Sequence, residues 1–148
     1  MKKINLLFAL LLTATFFVAC DKDDDGTSNE FNEANLKGKW FSVSATEDGE
    51  SFELDECDKM DNVEFLGNNT FKTEVYYTEN EDVNADGTVT LNCELDAEDE
   101  GTWKILNSES LLITQEGDVD TIKVAAFTGD RITFTFENGE YTETYEKR

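Results

Sequence analysis

The chain has 148 residues, 34 acidic against 12 basic, with no His, no Pro and three Cys, for a net charge of −22. That length suits one small domain with a single modest core. The missing imidazole removes His-based triads and His-ligated metal sites, and the charge repels a phosphate backbone, so no nucleic acid is expected as a partner.

The chain opens on a leader. Lys2-Lys3 precede an apolar run from Ile4 to Ala19, broken only by Asn5, Thr13 and Thr15 and ending in Val18-Ala19-Cys20. The run is short for a bilayer span and its basic start is a secretory signature, so residues 1–19 read as a signal peptide that is removed. Its end resembles a bacterial lipoprotein lipobox, with Phe17 where that family usually carries Leu. The resemblance implies that Cys20 becomes a diacylated N-terminus holding the protein on the outer membrane, since two or three acyl chains anchor firmly where one is marginal. Asp21-Lys22-Asp23-Asp24-Asp25 follows at once and resembles the export signal by which some Gram-negative bacteria flip lipoproteins to the cell surface. A solvated acidic tether is the alternative. Residues 20–33 are thus expected to be a lipidated Cys and a flexible acidic tether, and 34–148 the folded domain.

A brief helical turn is expected from Asn32 to Leu36, with Asn32 capping the N–H of Ala34 or Asn35. From Lys37 onward apolar residues recur at every second position, the strand period. Val89, Leu91, Cys93 and Leu95 alternate with Thr90, Asn92 and Glu94, and Ile132, Phe134 and Phe136 with Thr133 and Thr135. Strands are predicted near 38–46, 61–66, 70–79, 87–95, 101–106, 110–116, 119–127, 130–137 and 140–147. Gly67-Asn68-Asn69, Asp86-Gly87, Glu116-Gly117-Asp118, Gly129-Asp130 and Asn138-Gly139 join them, and Asn138-Gly139 is a strong two-residue hairpin signal. Eight or nine short strands in chain order with tight turns favour an all-β, up-and-down antiparallel barrel over a sandwich, and closing the meander removes its edges.

Leu36-Lys37-Gly38-Lys39-Trp40 after a short helical turn resembles the Gly-x-Trp opening of lipocalins, most closely the small bacterial lipocalin-like lipoprotein domains. The likeness continues through Cys57-Asp58-Lys59, Val63 and Phe65 leading into Asn69-Thr70-Phe71, Cys93, and Gly101-Thr102-Trp103. It implies that Gly38 and Trp40 close one end of the barrel and that a basic residue from the last strands covers the Trp face. Arg131, Lys147 and Arg148 are the candidates for that role.

Cys57 and Cys93 are the remaining cysteines of an exported domain, so a structural disulfide is expected on compartment grounds. No CxxC spacing and no adjacent basic residue favours a redox or metal pair. Asp82-Val83-Asn84-Ala85-Asp86-Gly87 has the form that opens calcium loops, but position twelve is Cys93 instead of a carboxylate. Asp82, Asn84 and Asp86 are therefore weak calcium candidates, and the plainer reading is a hairpin turn. Phe71, Tyr77, Phe134 and Phe136 are candidates to line a pocket, in a barrel just wide enough either to fill with side chains or to hold one small ligand.

No His, no Gly-rich phosphate loop and no Gly-x-Ser-x-Gly are present, and the acids cluster in turns and outward positions, so neither an enzyme nor a cofactor is expected. The function expected is a surface or outer-membrane lipoprotein acting as a non-enzymatic binding or interaction module, with a small hydrophobic ligand or a surface partner. The alternatives are a structural or adhesive surface protein with a filled barrel, and a calcium-dependent module.

Overall fold

Ile132, Phe134 and Phe136 point to one side of their strand and Thr133 and Thr135 to the other, and the first two are almost completely buried. The outward Thr133 hydroxyl meets that of Thr144 across the strand pair at 2.9 Å. This period-two division, repeated around the chain, gives every strand an apolar face that can be covered only by curling the sheet onto itself. The computed structural model describes residues 30–136 and 139–148. Cys20, Asp21, Lys22, Asp23, Asp24 and Asp25 lie outside the described residues, as does Asn138 of the expected hairpin turn.

The order is α1 (Glu33–Leu36), β1 (Gly38–Glu47), β2 (Glu50–Phe52), a 3₁₀ turn (Asp58–Met60), β3 (Asn62–Phe65), β4 (Thr70–Val83), β5 (Val89–Asn107), β6 (Ser110–Gln115), β7 (Asp118–Phe127), β8 (Arg131–Phe136) and β9 (Tyr141–Lys147). Each strand from β3 to β9 pairs antiparallel with the next, β1 pairs with β3, and β9 returns to β1, so eight strands close a barrel and β2 is an extra strand on β1. The closing seam runs from Trp40 opposite Lys147 to Glu47 opposite Tyr141, with a bulge between Ser42 and Ser44. An all-β up-and-down barrel is thus the fold.

Two strand assignments change. The predicted strands 87–95 and 101–106 are one continuous β5, because after a bulge at Asp96 the residues Ala97 to Glu100 stay paired to β4, where Lys72 lies opposite Glu100 and reaches it at 2.6 Å. β2 was not foreseen. Asp48 and Gly49 take positive φ, 51° and 82°, and turn β1 back on itself in a tight hairpin.

Beyond Glu74, β4 no longer has β3 beside it, and before Gly101, β5 has no β6 partner. Residues 75–83 and 89–100 therefore project past the barrel rim as a two-stranded arm. Cys57 and Cys93 form a disulfide with Cα atoms 5.3 Å apart, tying the arm to the segment that precedes β3. Its sequence separation of 36 corresponds to a loop-closure stabilisation of about 4 kcal/mol at most.

The opposite end is plugged. Asn32 caps α1 by accepting from the Asn35 N–H, and Phe31, placed in the tether by the sequence, packs edge-on against Phe127. The two last carbonyls of α1 are satisfied by the plug: Trp40 donates its indole N–H to Leu36 at 2.6 Å, and Lys147 donates Nζ to Asn35 at 2.8 Å. Lys147 also lies 5.1 Å from the Trp40 ring, which settles which basic residue covers it. Arg131 instead faces Glu146, and Arg148 lies over Phe41. Gly38 has φ +122°, and a Cβ there would come within 2.8 Å of the Lys147 stem. The Gly of Gly-x-Trp is required for that approach as well as for its backbone.

Gly38→Ala is expected to cost about 1–3 kcal/mol from the strained backbone. Because part of the damage is displacement of Lys147, its loss added to Lys147→Ala should fall short of the sum of the two single losses. Denaturant melts of the two single variants and the double variant measure this, and strict additivity would refute the contact.

Candidate functional site

The plugged end and the rim differ in what their walls are made of. Near the plug, Leu36, Trp40, Phe65, Trp103, Leu111 and Ile132 are buried and fill the barrel. Trp103 fixes its own depth by donating its indole N–H to the Thr70 carbonyl at 2.9 Å, and its ring meets Phe65 edge-on. Gly101 lies where any side chain would collide with the Phe71 ring and the Thr114 carbonyl, so the wall here is packed through to the backbone.

Towards the rim the filling thins. A cavity of about 180 Å³ lies between the β3–β4 and β6–β9 walls, bordered by Phe71, Ile113, Phe134, Phe136 and Tyr145 among others. It shares Ile113, Gln115, Ile122 and Phe136 with a wider cleft of about 780 Å³ that also touches Asp120 and Gly139. The cleft exists because β8 is short: its last pairs with β7 are Lys123 to Thr135 and Val124 to Phe134, which leaves Asp118 to Ile122 without a β8 partner. The barrel is therefore a cup, closed at Trp40 and open through the rim and the gap beside β7.

Of the pocket residues expected from sequence, Phe71, Phe134 and Phe136 are brought together at the cavity. Phe134 packs against Phe65, Phe136 and Tyr145. Tyr77 is not there. It shares the parity of Phe71, but β4 has left the barrel by that point, so its ring is 43% exposed on the arm and its hydroxyl points to Glu94.

Asp82, Asn84 and Asp86 lie at the tip of the arm. Asp86 accepts from the backbone N–H and hydroxyl of Thr88, Asn84 donates to Thr88 and Thr90, and Asp82 accepts from Asn92. These side chains are engaged in holding the hairpin turn, Asp82 and Asp86 through their oxygens and Asn84 through its amide nitrogen, and among the described residues no group of three His, Cys, Asp or Glu is placed to hold a metal ion.

One side of the rim is polar in a way the sequence reading missed. On β9, Tyr141, Glu143 and Tyr145 share parity, and Glu143 accepts from Ser42 and Tyr141. Asp61 lies beside this group and accepts the Tyr76 N–H at 2.6 Å. Burial, with the nearby Glu143 charge adding to it, pushes the Asp61 carboxyl up to about 6, against the hydrogen bond from Tyr76. Burial and the same Glu143 charge push Tyr141 up to about 12 and Tyr145 well above its ordinary value. No described ion pair involves Asp61 or Glu143. The only signal for Glu143 was its place between two inward tyrosines, where an acid is ordinarily assigned to the outer face.

A closed eight-stranded barrel, a Gly-x-Trp plug and a lysine from the last strand over the Trp define the type of domain. The chain belongs to the lipocalin-like family. Residues 36–134 match the lipocalin-like domain. This lipocalin-like chain is similar in fold to a lipocalin-like protein from Bacteroides uniformis, with 17% identity, a TM-score of 0.51, and coverage of 77% of this chain and 99% of that one. It is also similar in fold to an uncharacterized protein from Bacteroides eggerthii, with 14% identity, a TM-score of 0.50, and coverage of 76% and 99%. No curated protein matches.

The Asp61 carboxyl titrates higher in the folded lipocalin-like domain than its ordinary value of 3.8. Its contribution to stability is thus fully present below about pH 4 and is lost as pH rises through about 6. Asp61→Asn keeps an acceptor for Tyr76 and removes the charge. It should stabilise the domain at pH 7.5 by about 1–2 kcal/mol, after discounting for solvent screening, and by almost nothing at pH 4. Urea melts at the two pH values check it; an equal effect at both would refute the charge as the cause.

Proposed function

We propose that the protein is a lipid-anchored lipoprotein of the outer membrane, exposed at the cell surface, whose barrel acts as a non-enzymatic binding module for a small apolar molecule. The observation that carries the binding reading is the cup: the barrel is sealed by Trp40 and Lys147, yet keeps a cavity of about 180 Å³ with aromatic walls that opens into the wider cleft at the other end. Such a shape, mostly apolar with a few polar groups at one side, is what small-ligand sites share. The anchor reading rests on Lys2-Lys3, the apolar run and Ala19-Cys20, and the surface reading on Asp21 to Asp25.

The chemistry of the rim narrows the ligand. Asp61 and Glu143 stand behind Tyr145, a wall residue of the cavity, and no described ion pair neutralises either, whereas the outer cleft carries one charge of each sign, Asp120 and Lys123; an anionic headgroup on the Tyr145 side therefore meets like charge. A compound with a neutral or amine-bearing end fits better than a fatty acid.

A thermal-melt panel of apolar compounds with neutral, amine and carboxylate ends tests this. Binding stabilises by mass action, about 2.7 kcal/mol at one hundred times the dissociation constant. Neutral or amine-ended compounds should raise the melting temperature more than their carboxylate analogues. Phe134→Ala, which removes the ring between Phe65, Phe136 and Tyr145, should cost about 3–5 kcal/mol if that part of the barrel stays collapsed-resistant, and should alter ligand affinity as well. A large loss in the variant with no ligand shift in the wild type would replace the binding module with the packed structural domain, a reading favoured by the filled lower half.

The anchor is tested separately. Cys20→Ala should abolish acyl labelling and release the chain from membranes, and replacing Asp23, Asp24 and Asp25 by Ala should leave it membrane-bound but shielded from protease on intact cells. Membrane association unchanged in Cys20→Ala would overturn the anchor, and equal protease access would overturn the surface export.

A further inference from the structure

The arm has no role in closing the barrel or in lining the cavity, yet it is the longest paired element of the protein and is held in place by the disulfide. Its register sorts its side chains. Val83 pairs with Val89, and Leu91 and Leu95 share the parity of Val89, so these four apolar residues form a stripe on the face that carries Cys93. Val83, Val89 and Leu95 are 72%, 53% and 48% exposed, and Leu91 between them is half-buried. The opposite face carries Tyr77, Asp82, Asn92 and Glu94, joined by hydrogen bonds from Asn92 to Asn80 and Asp82 and from Tyr77 to Glu94.

Residues 75–100 contain nine Asp or Glu and no Lys or Arg. Only Glu98 and Glu100 are reached by a cation, Lys72 on the barrel, among the described residues. Beside β4 the segment before β3 covers part of the edge, through Tyr76 to Asp61 and Thr78 to Asp55. Along β5 from Val89 to Glu100 no described strand pairs with the outer edge. That leaves an open strand edge of about 40 Å, at the usual rise per residue.

We infer that the outer edge of β5 in the arm is a docking site for an extended segment of a partner protein in which basic and apolar residues alternate. An added strand continues the sheet, so its side chains fall alternately on the two faces of the arm. One set would extend the stripe of Val89, Leu91 and Leu95, and the other would lie beside Asn92 and Glu94, with Asp82 of β4 one strand further in on the same face. Charge complementarity selects the partner: nine acids without a basic residue attract Lys and Arg, and the same charges repel the arm of a second copy. Acidic side chains are thus the device that keeps this edge from pairing with itself while leaving it open to a cationic strand.

The probe is an acetylated Lys-Val-Lys-Val-Lys-Val-Lys-Val peptide, titrated into the full chain in detergent at physiological salt and read by calorimetry. It should bind at least tenfold tighter than a peptide of the same composition with its lysines and valines in two blocks, and the Glu-Val counterpart should not bind. Leu95→Thr with Val89→Thr puts β-branched polar residues, which suit a strand, at these exposed positions and should weaken binding at least tenfold while leaving the melting temperature of the barrel unchanged. Asp82→Lys with Glu94→Lys should weaken the Lys-Val peptide at least fivefold and admit the Glu-Val one. Equal binding of alternating and block peptides would reduce the site to unspecific charge and overturn the proposal, as would no binding at all. A dimer lost in the Leu95→Thr, Val89→Thr variant would overturn it in favour of a second copy.

Discussion

The pairing of β1 with β9 is the contact on which the other features depend. β1 and β9 are the first and last strands of the barrel, and until they meet from Trp40–Lys147 to Glu47–Tyr141 the meander is an open sheet with one bare apolar face. Their meeting buries that face and at the same time places Lys147 over Trp40, because the two residues are directly opposite in the register. The plug is therefore a consequence of closure. It ties in α1, whose last carbonyls would otherwise face an apolar interior without donors. Contacts so distant in sequence are slow to form, since the loop-closure entropy of nearly the whole domain is spent before the seam rewards it.

The same seam explains why the two ends of the barrel differ. At the plug, the register matches Trp40 with Val63 on one side and Lys147 on the other, and large side chains meet across the axis. On either side of the bulge at Val43, β1 offers small residues, Ser42 and Ala45, both nearly inaccessible. β9 answers them with Tyr141, Glu143 and Tyr145. Small residues opposite long polar ones leave room for hydroxyls to reach a carboxylate, so Glu143 is held by two donors, Ser42 and Tyr141, instead of by a cation. An acid held in this way makes the rim negative, and the short β8 leaves that rim open.

The arm follows from unequal strand lengths. β3 spans Asn62–Phe65 and β6 spans Ser110–Gln115, while β4 and β5 run on to Val83 and from Val89. A strand that outlasts both neighbours must leave the barrel, and the disulfide to Cys57 then restrains the hairpin at its base. Tyr77 shows what this does to a sequence reading. Its parity with Phe71 was read correctly, but parity assigns a face of a strand, and only the neighbouring strands decide whether that face is inside.

Period-two alternation, the turn residues and the compartment argument for the two cysteines were enough to indicate the class of fold, the disulfide and the inward faces of Phe71, Phe134 and Phe136, because each rests on local geometry or on compartment chemistry. Gly38 and Trp40 were legible as the plug by resemblance alone. Which of Arg131, Lys147 and Arg148 covers Trp40 required the β1–β9 register, since the three differ only in where closure puts them. The joining of two predicted strands into β5 depended on Lys72 lying opposite Glu100, a pairing between residues far apart in the chain. The inward Glu143 depended on the donors Ser42 and Tyr141 converging from two strands, and a carboxylate without those donors would belong in water. Local pattern specifies which way a side chain points, and the company it finds there is set by partners that only the closed barrel assembles.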